Sequence, residues 1–229
     1  MDRRKFIKIS GVSLSGLIIN SSVFGSSANA FLMGLPDEVW IGSGKNRFSL
    51  SSIDKLKWTN RGITVVIKQD GIQQAIYVQS STQQLNNVQL KWKLAASSNT
   101  KCLGDDWERT YGDTSWESIG VTKKMPWYFL QYDGKNTHCF GVKTGAASIC
   151  YWQITNREVQ LTMDTRSGGV GVQLGGRKLH AASIITAKSN AGETPFKTGQ
   201  RFCKMMCDAP RLAKQPVYGI NDWYFAYGK

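Results

Sequence analysis

The chain has 229 residues, of which 41% are hydrophobic and 20% are charged, and its formal net charge is +13. This length is enough to bury one well-packed core. The positive charge does not predict nucleic-acid binding, because the basic residues occur singly rather than in a run or along one helix. Examples are Lys55, Lys57, Arg61, Lys68, Lys91 and Lys93. The pattern predicts a solvated cationic surface, and attraction to an acidic polysaccharide is the open alternative.

Residues 1–30 have the pattern of an export signal. A basic start with Arg3 and Arg4 precedes a mildly apolar stretch, and Ala28-Asn29-Ala30 fits a small-residue cleavage site. The arginine pair followed by Phe6 is typical of twin-arginine export, with an ordinary secretory signal as the alternative. The stretch is too short and polar to predict a transmembrane helix. We therefore expect a periplasmic or extracellular protein.

Short alternating runs of apolar residues follow, and they predict β-strands almost throughout. Turn signals such as Asp70-Gly71 and Asp133-Gly134 separate them. The predicted strands lie at 63–67, 74–78, 88–94, 127–132, 137–142, 148–154 and 159–163. This pattern indicates an all-β protein, an antiparallel sandwich of about a dozen or more strands.

The C-terminal part of the chain has a different pattern. Apolar residues at 202, 205 and 206 predict a short helix, and Pro210 and Pro216 then bracket a connector. The aromatic segment 217–229 predicts a buried strand that opens another domain. The expected organisation is a signal at 1–30, a sandwich at 31–207, a linker at 208–216 and the start of a truncated second domain at 217–229.

The segment 104–117 contains the densest group of polar and aromatic residues. Carboxylates and arginine bond sugar hydroxyl groups, and tryptophan stacks on a pyranose, so this loop is a candidate sugar site. The alternative is a salt-bridged loop whose Trp107 and Trp116 fill the core. Asp105, Asp106 and Glu108 are too close in sequence to predict a hydrolytic pair, which needs about 5–10 Å between carboxyl groups.

The cysteines, the glycine-rich segment and the histidines do not predict a catalytic or binding site. The five cysteines are read as small buried side chains, although Cys139 and Cys150 could face each other across a hairpin and Cys203 and Cys207 would share a helix face. The glycine-rich segment 168–177 predicts a tight hairpin and not a phosphate-binding loop. His138 and His180 have no sequence neighbour that suggests catalysis. No metal or cofactor is expected.

Two motifs resemble those of a known family. Residues 106–113 read Asp-Trp-Glu-Arg-Thr-Tyr-Gly-Asp, and residues 218–224 read Tyr-Gly-Ile-Asn-Asp-Trp-Tyr. Together with the export signal and the Cys-x-x-x-Cys-Asp-x-Pro connector, they resemble the N-terminal region of α-galactosidase (melibiase)-like glycoside hydrolases of the family 36/27 group. The resemblance covers essentially the whole chain after residue 30.

The resemblance implies a galactose-mutarotase-like supersandwich followed by a (β/α)8 barrel, whose two catalytic aspartates would lie beyond Lys229. It also implies that Trp107, Glu108 and Arg109 contact the terminal sugar. Sugar contacts from the first barrel strand would come from Asn221, Asp222 and Trp223. The strand has Gly-Ile-Asn-Asp-Trp where family members often have Gly-Trp-Asn-Ser-Trp, so a relative acting on another sugar is an alternative.

The expected function is therefore that of the N-terminal domain of a secreted retaining glycosidase, whose present chain lacks the catalytic carboxylates. The alternative is a stand-alone secreted carbohydrate-binding sandwich. The expected partners are an α-galactoside-like carbohydrate and the chain's own catalytic barrel. No nucleic acid is expected as a partner, and no membrane after signal cleavage.

Overall fold

The computed structural model describes residues 33–93, 99–107, 114–119, 123–155, 157–211, 213–216 and 218–219. Within these ranges the chain forms seventeen strands and one helix. The first nine strands are β1 (Glu38–Ser43), β2 (Asn46–Ser49), β3 (Ser51–Ser52), β4 (Lys57–Asn60), β5 (Ile63–Asp70), β6 (Gln73–Ser80), β7 (Gln84–Leu85), β8 (Asn87–Lys93) and β9 (Lys101–Gly104). The others are β10 (Glu117–Ser118), β11 (Met125–Pro126), β12 (Tyr128–Tyr132), β13 (Thr137–Val142), β14 (Ile149–Ile154), β15 (Glu158–Asp164), β16 (Val172–Gln173) and β17 (Lys178–Lys188), followed by α1 (Pro195–Met205).

The strands form two large antiparallel sheets, which confirms the all-β sandwich predicted from the sequence. One sheet has six strands in the order β11-β14-β15-β8-β1-β2. The other has nine in the order β10-β9-β12-β13-β17-β6-β5-β4-β3, and β16 and β7 form a small separate pair. Alternation assigns the faces: in β8, Val88, Leu90 and Trp92 are buried, while the intervening residues point outward.

The core lies between the two sheets and contains a chain of aromatic contacts that joins them. Trp92 and Trp152 of the six-stranded sheet have ring centroids 6.1 Å apart. Trp152 meets Phe129 of the nine-stranded sheet edge-on at 5.4 Å, and Phe129 stacks on Phe140 at 4.8 Å. Such pairs contribute about 1 kcal/mol each beyond area burial, so this chain fixes how the sheets face each other.

The predicted short helix is confirmed as α1, which packs on the outer face of the nine-stranded sheet. Thr194 caps its N-terminus by accepting a 3.3 Å hydrogen bond from the Lys197 amide, and Pro195 occupies the first turn, where no amide donor is required. Phe202 is fully buried in a second apolar cluster with Leu130 and Ile185. The helix therefore adds a third layer over part of this sheet.

An ion pair ties α1 to the end of β17. Glu193 accepts hydrogen bonds from Arg201 at 3.0 Å and 2.9 Å, and Arg201 also donates to the Lys188 carbonyl at 2.8 Å. The Arg201 guanidinium, together with the Asn190 amide, lowers the pKa of Glu193 to about 2. The charged carboxylate therefore stabilises the docked helix.

Cys139 and Cys150 do not face each other across a hairpin, as the sequence had suggested. Strands β13 and β14 are consecutive in the chain but belong to different sheets, so Cys139 lies in the outer cluster under α1 and Cys150 in the main core. Burial raises the pKa of Cys139 to about 12 and that of Cys150 to about 11. No disulfide joins the five cysteines, all of which lie in described ranges.

The glycine-rich segment forms the predicted tight hairpin only at its start, where Ser167 and Val170 exchange backbone hydrogen bonds of 2.9 and 3.1 Å across Gly168-Gly169. Its strand β16 pairs with the distant β7, and positive-φ turns at Gly168-Gly169 and Gly175-Gly176 flank it. Gly171 needs to lack a side chain here, because a Cβ would lie 2.1 Å from the Asn86 amide oxygen. The glycines therefore serve turns and a close approach between segments.

Candidate functional site

Only part of the predicted sugar site falls within the described ranges. Trp107 is described, and its exposed fraction is 50%. The other predicted contacts, Glu108, Arg109, Asn221, Asp222 and Trp223, lie outside the described residues, and their roles stay predictions. The proposed domain boundaries at 30, 208 and 216 likewise stay predictions. The alternative, a salt-bridged loop whose Trp107 and Trp116 fill the core, holds in part. The exposure of Trp107 contradicts it for that ring, whereas Trp116 packs against the apolar cluster under α1 and Lys123 pairs with Asp106 and Glu117.

The loop that carries Trp107 begins where the edges of the two sheets meet. Strand β9 pairs with β12 in the nine-stranded sheet and ends at Gly104. Gly104 lies against Met125, which belongs to the edge strand β11 of the six-stranded sheet. A Cβ on Gly104 would lie 2.2 Å from the Met125 sulfur, so glycine is required for the chain to pass this point.

Two aspartates shape the turn that follows Gly104. The Asp105 carboxylate accepts a 2.9 Å hydrogen bond from the Asp106 amide, and the Asp106 carboxylate accepts one of 2.8 Å from the Trp107 amide. Side chains that bond the next backbone amide favour tight, non-helical turns. These bonds direct the Trp107 ring across the sandwich edge to the outer face of the six-stranded sheet.

On that face Trp107 meets Tyr151 of β14. The ring centroids are 6.3 Å apart with planes at 69°, an edge-on contact, and the ammonium group of Lys124 lies 5.2 Å from the Tyr151 ring centre. We call Trp107, Tyr151 and Lys124 the indole platform. It presents the exposed indole ring of Trp107 beside a positive charge, a combination suited to the C–H face and hydroxyl groups of a sugar.

Charged side chains border the indole platform. Lys123 lies 3.3 Å from an Asp106 carboxylate oxygen and 3.9 Å from one of Glu117. Arg166 donates to Asp164 at 3.0 Å, and this bond, with a smaller contribution from Lys124, lowers the pKa of Asp164. Paired charges of this kind can bond sugar hydroxyl groups. The Lys123 ammonium occupies the gap between Asp106 and Glu117, which favours binding over acid–base catalysis by this pair.

A groove of about 590 Å³ lies away from the indole platform, between α1 and the outer face of the nine-stranded sheet. Its lining is mostly apolar and includes Leu103, Trp116, Tyr128, Phe196 and Pro210. It offers few groups for hydroxyl recognition, so we place the candidate sugar site at the indole platform rather than in this groove. This groove was not predicted from the sequence; the signal that could have indicated it is Phe196, an exposed apolar residue in the first turn of α1.

His138 has a carboxylate neighbour that sequence inspection did not reveal. Its ring nitrogen lies 3.8 Å from Asp133 across the turn between β12 and β13. Burial of the ring, helped by the positive charge of Lys188, lowers the pKa of His138 despite Asp133. The described part of the chain places no nucleophile beside this pair, which we interpret as structural.

Comparisons with known proteins do not assign this chain to a family. No family model matches the chain, and no curated protein matches it. Among solved structures the chain is similar to a GH31 family sulfoquinovosidase from E. rectale in complex with the aza-sugar inhibitor IFGSQ, with 12% identity and a TM-score of 0.42. The match covers 73% of this chain and 30% of that enzyme, so the chain spans less than a third of its length.

The described ranges hold no group of three or more His, Cys, Asp or Glu side chains that could bind a metal ion. They also contain no helix that is both long and apolar enough to cross a bilayer.

Proposed function

We propose that this chain is the N-terminal β-sandwich of an exported retaining glycosidase of the α-galactosidase-like kind, and that its indole platform contacts the sugar at the mouth of a following catalytic barrel. The observation that carries the proposal is the exposure of Trp107. Trp92 and Trp152 are 3% and 0% exposed in the core, whereas Trp107 is 50% exposed and held by Tyr151 and the Asp106 turn.

The sandwich has a positioning role in this proposal. In a retaining glycosidase one carboxylate attacks the anomeric carbon, and a second protonates the leaving oxygen and then activates water. Both would come from the barrel. The indole platform would stack on the apolar face of the sugar and keep water from that side of the site. Carboxylates and lysines around it would bond the hydroxyl groups.

The test uses the full-length enzyme and a nitrophenyl α-galactoside. Trp107→Ala should raise KM about 10-fold with a smaller change in kcat, because the stacking surface acts mainly in binding. Trp40→Ala is the matched control, since Trp40 also points outward from the six-stranded sheet, three strands from Tyr151 and so about 14 Å away. Equal effects of the two substitutions would contradict the proposal.

The alternative, a stand-alone carbohydrate-binding sandwich, is favoured by one observation: the indole platform is formed entirely by sandwich residues. Reading the coding sequence past codon 229 separates the two. A continuing frame of roughly 250 residues with alternating strands and helices supports the glycosidase. A stop codon there supports the binding module. The purified chain itself should not hydrolyse a nitrophenyl galactoside, and clear turnover would contradict the assignment of catalysis to the barrel.

A further inference from the structure

A second aromatic surface lies on the outer face of the nine-stranded sheet. Tyr77 of β6 and His180 of β17 are register partners, and their rings stack with centroids 4.9 Å apart. The ammonium group of Lys178 lies 4.5 Å from the Tyr77 ring centre, and that of Lys68 lies 5.5 Å from it. We call these four residues the cationic platform. It lies on the opposite sheet from Tyr151, so it is a different surface from the indole platform.

A β-bulge builds this surface. The register of β17 on β6 shifts between His180 and Ala182, so that Ala181 and Ala182 both point into the core. In a regular strand, residues three apart point to opposite faces. The bulge instead puts His180 and Ser183 on the same face, where the His180 ring nitrogen and the Ser183 hydroxyl are 2.9 Å apart. The buried Ser183 thus fixes the imidazole against which Tyr77 stacks.

The charges of the cationic platform are unbalanced. Lys68 and Lys178 approach Tyr77 from strands on either side of β6, and their ammonium groups are within 10.0 Å of each other because both lie close to one ring. Within the described ranges the ammonium group of neither lysine forms an ion pair or a hydrogen bond, although Asp70 lies only two residues along β5 from Lys68. Two exposed like charges near one ring raise the local positive potential, which attracts an anion.

We propose that the cationic platform binds an acidic polysaccharide, with its carboxylate or sulfate groups at Lys68 and Lys178 and its sugar along the edges of the Tyr77 and His180 rings. His180 stacks on Tyr77 and the two ammonium groups lie over the Tyr77 ring, so the aromatic pair holds the cations that bind the anionic substituents. A nucleic acid is less well matched, because its regularly spaced phosphates call for a row of cations along a groove. This inference does not depend on the glycosidase proposal.

Calorimetric titration of the purified chain at low ionic strength tests the proposal. The probes are an oligogalacturonate, a sulfated galactan oligosaccharide and a neutral galactan oligosaccharide of equal length. We expect binding of an anionic probe and at least about 10-fold weaker binding of the neutral one. The comparison between the two anionic probes identifies the carboxylate or the sulfate as the recognised group.

Variants locate the site. The double variant Lys68→Ala/Lys178→Ala should weaken binding of the anionic probe about 10-fold, and Tyr77→Leu by a similar factor. The matched control is Lys45→Ala/Lys135→Ala, which removes the same charge from two exposed turns. All four lysines are exposed, so both double variants should fold.

Four outcomes would overturn the proposal. One is an equal loss of affinity in both double variants, which would mean that only net charge matters. A second is absence of binding to both anionic probes, and a third is equally tight binding of the neutral probe. The fourth is tighter binding of a DNA duplex with the same dependence on Lys68 and Lys178. Titrations repeated in the Trp107→Ala background separate binding at the cationic platform from binding of the galactan probes at the indole platform, so the result is independent of whether the glycosidase proposal holds.

Discussion

The contact between Gly104 and Met125 offers a quantitative test of how the candidate sugar site is built. In Gly104→Ala the new methyl carbon would lie 2.2, 2.4 and 2.7 Å from the Met125 sulfur, Cγ and Cβ. Met125 is 2% exposed and cannot turn into solvent. Because the overlap includes Cβ, side-chain rotation alone cannot relieve it, and we expect a loss of about 2–3 kcal/mol of unfolding free energy.

The paired substitution separates this clash from a general effect of the mutation. Met125→Ala alone should cost about 2–3 kcal/mol by leaving a cavity. In the double variant the overlaps with the sulfur and Cγ are gone and only the 2.7 Å approach to Cβ of residue 125 remains, so the combined loss should fall at least about 1 kcal/mol short of the sum. Urea unfolding followed by tryptophan fluorescence measures all three variants.

The refuting result is additivity. If the two losses add to within about 0.5 kcal/mol, residues 104 and 125 are not in direct contact, and the two sheet edges do not meet at the start of the Trp107 loop. A stable Gly104→Ala variant would have the same meaning. The contact between the two sheets would then lie at another position along β9, β10 and β11.

Three more predictions concern the layer around α1 and the buried thiols. The pKa of Glu193 is lowered to about 2 from 4.5, so its stabilisation is present above about pH 4.5 and is lost as the pH falls toward 2. Glu193→Gln should therefore cost about 1–2 kcal/mol at pH 7 and almost nothing near pH 2, and a pH-independent loss in urea titrations would contradict the role of Arg201. Phe202→Ala should cost about 3–4 kcal/mol, because the ring is fully buried between α1 and the sheet; a loss below about 1 kcal/mol would show that the helix does not dock there. Iodoacetamide at pH 8 should label the exposed Cys203 well before Cys150, whose pKa is raised to about 11 by burial, and equal labelling rates in the folded protein by mass spectrometry would contradict the core assignment.

Local sequence patterns predicted the seven named strands and the helix correctly, because the side chains of each element repeat in direction with a single period. Val88 to Leu94 alternates strictly, and the corresponding strand β8 is Asn87–Lys93. The helix was predicted from Phe202, Met205 and Met206, and the structure has it at Pro195–Met205. These predictions need only the directions of neighbouring side chains, which the chain itself determines.

How the strands are arranged relative to one another was harder to predict from the sequence. Cys139 and Cys150 were placed on one hairpin because consecutive strands usually pair, but the chain crosses between sheets from β13 to β14. The cationic platform depends on the registers of β5 and β17 against β6, and on a β-bulge that the sequence Leu-His-Ala-Ala-Ser does not predict. For the indole platform, composition marked Trp107, but nothing local pointed to Tyr151 as its neighbour.

The position of β17 has a consequence for the kinetics of folding. It is the central strand of the nine-stranded sheet, yet its neighbour β6 ends at Ser80, roughly 100 residues before β17 begins. Until residues 178–188 are available, the strands on either side can form only two separate four-stranded halves with unpaired edges. Joining them requires closure of a long loop, and we expect this step to be slower than formation of the hairpins and to leave both edges open to pairing with other chains.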